Sequence, residues 1–363
     1  MQGLRDAVRA ATGRDGVATW TAEPLDHHVD NMTTERLDRV TGTLDDGTTW
    51  SLVAKTLRPA SASPQWAMIP PFAHEQVLRE LDWRDEPRVY RSALATDLPQ
   101  GVRLPRLWHV DEGDERIVLW LEDVDDRATW DVALHLRAAE ALGRLAGTWP
   151  DHRVTGELDL RRRLLGEYFG GPIVHVVIPA LAADATWSDP LVAAATADDP
   201  ELRTDLVRLG EWAPELVERV HATAHALGHG DAAPANILDD GTDLVLVDWS
   251  YGSTMAMGMD LAQLVAGTVA GRTAGDVTAL AEVDAGVVDA FCRGVAAVGG
   301  RAERADVELA YRVTLAVRSA LPCLDVGHAA DLPDEQRVAL LAQRAALARV
   351  ALDRLDAIRP LRS

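Results

Sequence analysis

The sequence predicts an α+β chain in two parts: a small β-rich part ending near Val124 and a larger, mainly helical part over residues 125–363. Three observations predict it. Before Val124, pairs of apolar, β-branched runs flank tight turns. After Asp125, apolar residues recur at helical spacing over long stretches. Inside the helical part, residues 237–248 carry one further hairpin pattern with polar residues at its two ends.

In the first part, residues 36–44 and 48–57 flank Asp45-Asp46-Gly47, which reads as a hairpin closed by a glycine-containing turn. Lys55 falls late in the second strand, within Leu52-Val-Ala-Lys55, where a rigid strand could present a cation to an anionic ligand. Such a lysine needs an acidic partner, and Glu75, Glu80 and Glu86 follow it. A helix starts around Asp85, which could cap it, with Pro87 tolerated in the first turn. Residues 103–110, the turn Glu112-Gly113-Asp114 and residues 116–124 form a second hairpin. Residues 25–35 form a polar loop without glycine.

In the second part, residues 133–147 and 202–226 show helical spacing. The latter run leads into His221, His225 and His229 at intervals of four, which would set three imidazoles on one face of a continuous helix. Zinc enzymes of the H-E-x-x-H type need a glutamate that His221-Ala-Thr-Ala-His225 lacks, and Gly228 and Gly230 break the helix, so a histidine metal site is not expected. Residues 180–199 read as a loop or short helix. Residues 337–358, rich in Ala, Leu and Arg, read as a long amphipathic helix that packs the core.

The chemistry concentrates in one segment, His229–Trp249, HGDAAPANILDDGTDLVLVDW. Asn236 follows Asp231 by five residues, and Asp248 follows Asn236 by twelve. Residues 244–247 read as a strand ending at Asp248, paired through a turn with residues 237–238. That hairpin would set Asn236 and Asp248 side by side. Two oxygen ligands there suit Mg²⁺, which takes few protein carboxylates and completes its shell with phosphates and water. An aspartate to accept a proton, with an Asn and an Asp to bind a divalent cation, is what phosphoryl transfer from ATP requires.

HGD-A-A-P-A-N-I-L followed by V-D-W resembles the aminoglycoside phosphotransferase and choline kinase-like superfamily, whose pattern is roughly HGD-x-x-x-x-N-I-L, then I/V-D-W/F. The resemblance implies a bilobal protein-kinase-like fold, with an N-lobe over residues 1–124 and a C-lobe over residues 125–363. It implies transfer of the γ-phosphoryl group of ATP or GTP to a hydroxyl of a small molecule: an antibiotic, a sugar or a natural-product intermediate. Asp231 would be the base, Asn236 and Asp248 would hold Mg²⁺, and Lys55 would bind phosphates. The stretch Trp83-x-x-Glu86-x-x-x-Tyr90 resembles the family helix that supplies the lysine's partner, which points to Glu86. Leu121-Glu122-Asp123-Val124 resembles the inter-lobe hinge, so the backbones of Glu122 and Val124 would meet the nucleotide ring. His229 would be structural, and Asp260, in a G-x-D-L-A segment, would support the catalytic loop. One departure stands out. The expected phosphate-covering loop lacks glycine, so Asn31, Thr33 and Thr34 would have to supply donors. That departure keeps open a nucleotide-binding pseudokinase or regulatory protein without transferase activity. A metal-dependent hydrolase using Asp231 and Asp248 is a more distant rival. Acceptor-pocket candidates are Trp130, Trp187, Trp249, Arg318 and Asp325.

Charge and composition set the remaining expectations. With 57 acidic and 36 basic residues the net charge is −21, which disfavours nucleic acid and anionic lipid as partners. The acidity would suit a cationic acceptor, or it reflects an acidic proteome. Cys292 and Cys323 lie far apart in no metal or redox spacing, and they fit a reducing compartment. No N-terminal signal pattern and no apolar run of membrane-spanning length are evident, and a cytoplasmic protein is expected.

Overall fold

A computed structural model describes residues 2–25, 31–158, 160, 162, 165–267, 280–324 and 332–357. In chain order the principal elements are α1 (Gln2–Thr12), β1 (Val17–Pro24), β2 (Thr34–Leu44), β3 (Thr49–Leu57), α2 (His74–Glu80), α3 (Asp85–Arg91), β4 (Val102–Arg103), β5 (Leu107–Glu112) and β6 (Ile117–Glu122). There follow α4 (Val132–Thr148), α5 (Leu202–His221), β7 (His225–Gly228), β8 (Ile237–Asp239), β9 (Leu244–Leu246), β10 (Ser253–Ala256), α6 (Asp260–Ala266), α7 (Leu280–Ala297), α8 (Arg304–Leu315) and α9 (Asp334–Asp356).

The chain divides into two compact units. The first comprises Met1–Asp97, Arg103–Arg127 and Leu238–Tyr251. Its main sheet has the antiparallel order β1-β2-β3-β6-β5. Leu4, Ala7 and Val8 of α1 pack on Val40, Leu44, Trp50, Leu52 and Ala54, which covers one face of the sheet. Alternation along β3 then sends Val53 and Lys55 to the opposite face. There Lys55 pairs in register with Leu37 of β2 and Leu119 of β6.

This unit is discontinuous in sequence. The β8–β9 hairpin lies in a small sheet of order β4-β9-β8, and Asp240 at its turn binds Arg103 at 2.9 Å. α3 also differs in detail from expectation. Asp85 is its first helical residue and pairs with Arg88 at 2.6 Å, so it does not stand outside the helix as a cap.

The second unit comprises Leu98–Val102, Ala128–Ile237 and Gly252–Ser363 and is mainly helical. α4 and α7 lie so close that a Cβ at Gly143 would come within 2.0 Å of the Phe291 carbonyl, and one at Gly294 within 2.0 Å of the Glu140 carbonyl. Only glycine permits that approach. Residues 178–195 fold as three short helices, Ile178–Ala182, Asp184–Ser188 and Pro190–Ala195. α9 buries Leu340, Leu341, Leu347, Ala348, Ala351, Leu352 and Leu355 at helical spacing, so one apolar face packs into the core, as the sequence pattern predicts.

Two further sequence expectations differ from the structure. The helix expected over 202–226 ends at His221, because residues 225–228 pair as β7 with β10 in the register Ser253↔Gly228 to Ala256↔His225. Ladder hydrogen bonds thus win over the helical propensity of an Ala-rich run, and the three histidines share no helical face. The His221 ring accepts from Gly166 N at 3.1 Å, and His225 lies in the strand. Second, Leu165–Ala182 is an apolar run of 18 residues with a mean hydropathy of 1.3, so one segment does reach spanning length. Its helix is broken at Gly171 (φ −88°, ψ −116°). In lipid such a break would leave backbone polar groups unpaired.

Candidate active site

In the first unit a buried charge cluster is built around Lys55. Its Nζ lies 2.7 Å from Glu86 Oε2 and 2.9 Å from Asp248 Oδ1. The Lys55 and Glu86 side chains are only 6% and 2% exposed, whereas Asp248 is 25% exposed. Of the three acids that follow the lysine, Glu86 makes the ion pair, while Glu80 accepts from Gln76 on its own helix. Burial opposes the Lys55 charge, but Asp248 and Glu86 together outweigh it and raise its pKa. Burial, opposed by Lys55 and reinforced by the charge of Asp248, pushes Glu86 up to about 7. Asp248 has φ +58°, the sole positive φ among the described non-glycine residues, which turns the chain sharply after β9. Ser250 Oγ donates to Asp248 Oδ1 at 2.9 Å, and Asn31 Nδ2 donates to Ser250 Oγ at 3.4 Å.

The loop expected to cover phosphates is described only in part, since residues 26–30 lie outside the described residues. Asn31 Oδ1 accepts from the Thr33 backbone N–H at 2.9 Å and the Thr33 hydroxyl at 2.8 Å, so these two residues bond to each other. Thr34 is buried at the start of β2. In the segment expected to be the hinge, the Glu122 N–H is used by the Arg106 carbonyl at 2.9 Å, and its carboxylate grips Arg103 at 2.7 and 3.1 Å. Asp123 binds Arg39 through paired hydrogen bonds of 2.9–3.1 Å and accepts from Ser51. Val124 is buried.

In the second unit the sequence His229-Gly-Asp231 forms a tightly held loop after β7. Gly230 takes φ +81°, a conformation glycine adopts freely. Asp260, at the start of α6, accepts from His229 N and Gly230 N, each at 2.8 Å. Burial raises the pKa of Asp260 against the pull of His229, the two N–H groups and Arg318. Arg318 donates to the Gly230 carbonyl at 2.9 Å from the π-helical stretch Ala316–Ala320. His229 is fully buried, and its Nδ1 accepts from Asp231 N at 3.3 Å.

The Asp231 carboxylate is held at both oxygens. Asn236 Nδ2 donates to Oδ2 at 3.0 Å and to the Asp231 carbonyl at 2.8 Å, and Gln263 Nε2 donates to Oδ1 at 3.0 Å. Asn236 closes the short turn Pro234–Asn236 ahead of β8. With its amino group facing Asp231, its Oδ1 is left as the oxygen able to ligate a metal. Among the described residues no group of three or more His, Cys, Asp or Glu forms a metal cage.

The structure thus joins Lys55, Glu86 and Asp248 within the first unit and Asp231 and Asn236 within the second. Of the acceptor-pocket candidates, Trp249 is fully buried with its indole N–H on the Leu246 carbonyl at 2.9 Å. Trp187 packs on Val192, Leu340 and Leu341. Trp130 stands edge-on to His135, Arg318 holds the loop, and Asp325 lies outside the described residues. Sequence reasoning missed Gln263. The available signal was one polar residue within the apolar run Leu261–Ala266, three positions after Asp260.

No protein-family model matches the sequence, and no curated protein matches it significantly. Solved structures do resemble it. An aminoglycoside phosphotransferase from Alicyclobacillus acidocaldarius matches with 14% identity and a TM-score of 0.53 over 95% of this chain and 92% of that one. The ethanolamine kinase of Plasmodium vivax matches with 12% identity and a TM-score of 0.53, over 92% and 82%. A spectinomycin phosphotransferase solved with ADP and spectinomycin matches with 11% identity and a TM-score of 0.50, over 97% and 98%. At these identities the likeness is one of fold, and the chain has the kinase-like fold that these aminoglycoside phosphotransferases and choline/ethanolamine kinases share.

Proposed function

We propose that this protein is a small-molecule kinase that transfers the γ-phosphoryl group of ATP to a hydroxyl of its acceptor. The observation that carries the reading is Lys55, buried yet bound by two carboxylates, Glu86 and Asp248. A hydrolase acting on phosphoesters without nucleotide would have no need of that lysine. The held Asp231 in its HGD loop adds support, as does the shared fold.

In this reading Asp231 accepts the proton of the acceptor O–H while the oxygen attacks the γ-phosphorus. The new P–O bond forms as the bond to the β–γ bridging oxygen breaks, and ADP leaves with that electron pair. Lys55, positioned by Glu86, neutralises phosphate charge. The Glu122 carbonyl and the Val124 N–H are the hinge groups that would meet the adenine ring. Asn236 and Asp248 would hold magnesium, which when bound neutralises charge on the phosphate oxygens. Their oxygen-only chemistry fits that ion.

The test starts with thermal stability in ATP or GTP, each with and without Mg²⁺. A ligand at one hundred times its Kd stabilises the native state by about 2.7 kcal/mol. A Mg²⁺-dependent rise with ATP is expected. Incubation of Mg·ATP with spectinomycin, choline and ethanolamine, read by mass spectrometry for phosphorylated product, then probes the acceptor class. A nucleotide-dependent rise with no turnover on any acceptor or water would make the chain a nucleotide-binding protein without transferase activity.

A further inference from the structure

We infer that Gln263 is a positioning residue for phosphoryl transfer: it fixes the direction in which Asp231 presents its carboxylate. The inference rests on the kinase reading above.

The geometry is specific. α6 places Asp260 and Gln263 three residues apart, hence on one face of the helix. Asp260 takes the backbone N–H groups of His229 and Gly230, and Gln263 reaches the next residue's side chain, donating to Asp231 Oδ1 at 3.0 Å. The far end of the helix presses on the same loop. A Cβ at Gly267 would stand 2.8 Å from Ala233 Cβ and 2.9 Å from Pro234 Cδ, so α6 and the loop meet without slack. One short helix therefore governs both the backbone and the side chain of the catalytic segment. Gln263 is half-buried, while its neighbours Leu261, Ala262, Leu264, Val265 and Ala266 are all buried. An amide here serves no apolar packing role that leucine would not serve better.

The chemistry explains why an amide is suitable. Asn236 occupies Oδ2, so without Gln263 the carboxylate could rotate about χ2 and carry its remaining lone pairs away from the acceptor hydroxyl. A neutral donor stops that rotation without cancelling the charge that accepts the proton, as a lysine or arginine would. Misplacement of a reacting group by about 1 Å can cost roughly a hundred-fold in rate.

The experiment uses the full chain with Mg·ATP, reading both hydrolysis with water as acceptor and transfer to any acceptor that gives product, alongside Asp231→Asn. Gln263→Leu keeps the volume and removes the donor. It should lower kcat by roughly ten- to a hundred-fold, with the KM for ATP and the melting temperature close to wild type. Gln263→Glu supplies the more telling readout. Its introduced carboxyl can donate to Asp231 only when protonated, so the ratio of variant to wild-type kcat should climb as pH falls. A purely structural glutamine would give no such trend. If Asp231→Asn abolishes turnover while Gln263→Leu retains wild-type kcat and Gln263→Glu shows a flat ratio, the positioning role is wrong and the kinase reading stands. If wild type shows no turnover, or Asp231→Asn turns over normally, the kinase reading fails and this inference falls with it.

Discussion

The two halves of the candidate machinery are held by opposite means. In the first unit Lys55 is fixed by charge, with Glu86 and Asp248 within 2.9 Å of one ammonium. In the second, the Asp231 side chain is fixed by neutral amides and its loop by hydrogen bonds to peptide groups, with the charged side chains of Asp260 and Arg318 acting on backbone N–H and carbonyl groups. The difference follows from the proposed tasks. A group that must neutralise phosphates has to stay charged while buried, which calls for counter-charges. A base has to stay free to take a proton, so whatever orients it should leave its charge uncancelled. Charge-built sites respond to pH and to loss of one ion, whereas amide-built sites respond to geometry.

The largest expected effect tests the amide-held side. Asp231→Asn keeps the shape and removes the proton acceptor, so turnover should fall by about 10²–10⁴-fold. The Mg·ATP-induced rise in melting temperature should survive, since the base is not assigned to nucleotide binding. Steady-state kinetics beside a thermal melt check both halves of the claim, and unchanged turnover would remove Asp231 from the mechanism.

On the charge-held side the signature should be stability. Glu86→Ala strands a buried lysine against Asp248 alone, and breaking a buried pair costs about 3–5 kcal/mol. Denaturant unfolding at pH 7 reads this directly, and a cost below about 1 kcal/mol would show that the pair is not buried in solution.

A pH series separates the two halves further. Glu86 has its folded pKa raised to about 7 from an ordinary value of about 4.5, so between those values the folded state holds a proton that the unfolded state has released. Its contribution to stability is therefore complete below about 4.5 and is lost as pH rises through about 7, a change of about 3 kcal/mol. Completing the Lys55 ion pair thus costs the fold stability as pH rises. The wild-type-minus-variant difference for Glu86→Gln should show that slope, and the same difference for Gln263→Leu should be flat. A flat Glu86→Gln difference from pH 5 to 8 would contradict the burial that raises this group.

These contrasts also explain what could be read from the sequence. The β2–β3 and β5–β6 hairpins were legible because alternation and turn residues are local signals. Asp231, Asn236 and Asp248 stand out as candidates because their spacing within one short segment matches a pattern, and Glu86 as the partner of Lys55 because Trp83 and Tyr90 frame it. β7 was misread as helix because its partner, β10, lies 25 or more residues further on, and an Ala-rich run carries no trace of that ladder. Gln263 and Arg318 reach the loop from 32 and 88 residues away, and their amide and guanidinium groups belong to no motif. The discontinuous first unit was hidden for the same reason: the hairpin is local, but its attachment to β4 is not.

The smallest expected effect concerns where acceptor specificity lies in the second unit. Trp187 was a pocket candidate on sequence grounds, yet its ring packs on Val192, Leu340 and Leu341, and its indole N–H donates to the Leu181 carbonyl at 2.7 Å. Trp187→Phe keeps an aromatic ring and gives up that hydrogen bond, so stability should drop by about 0.5–1.5 kcal/mol. The acceptor KM should stay within two-fold of wild type, a margin of about 0.4 kcal/mol at RT ≈ 0.59 kcal/mol. A ten-fold rise in that KM without a change in melting temperature would move Trp187 from the core to the pocket. Specificity would then reside in the short helices of residues 178–195, away from the polar groups that hold the loop.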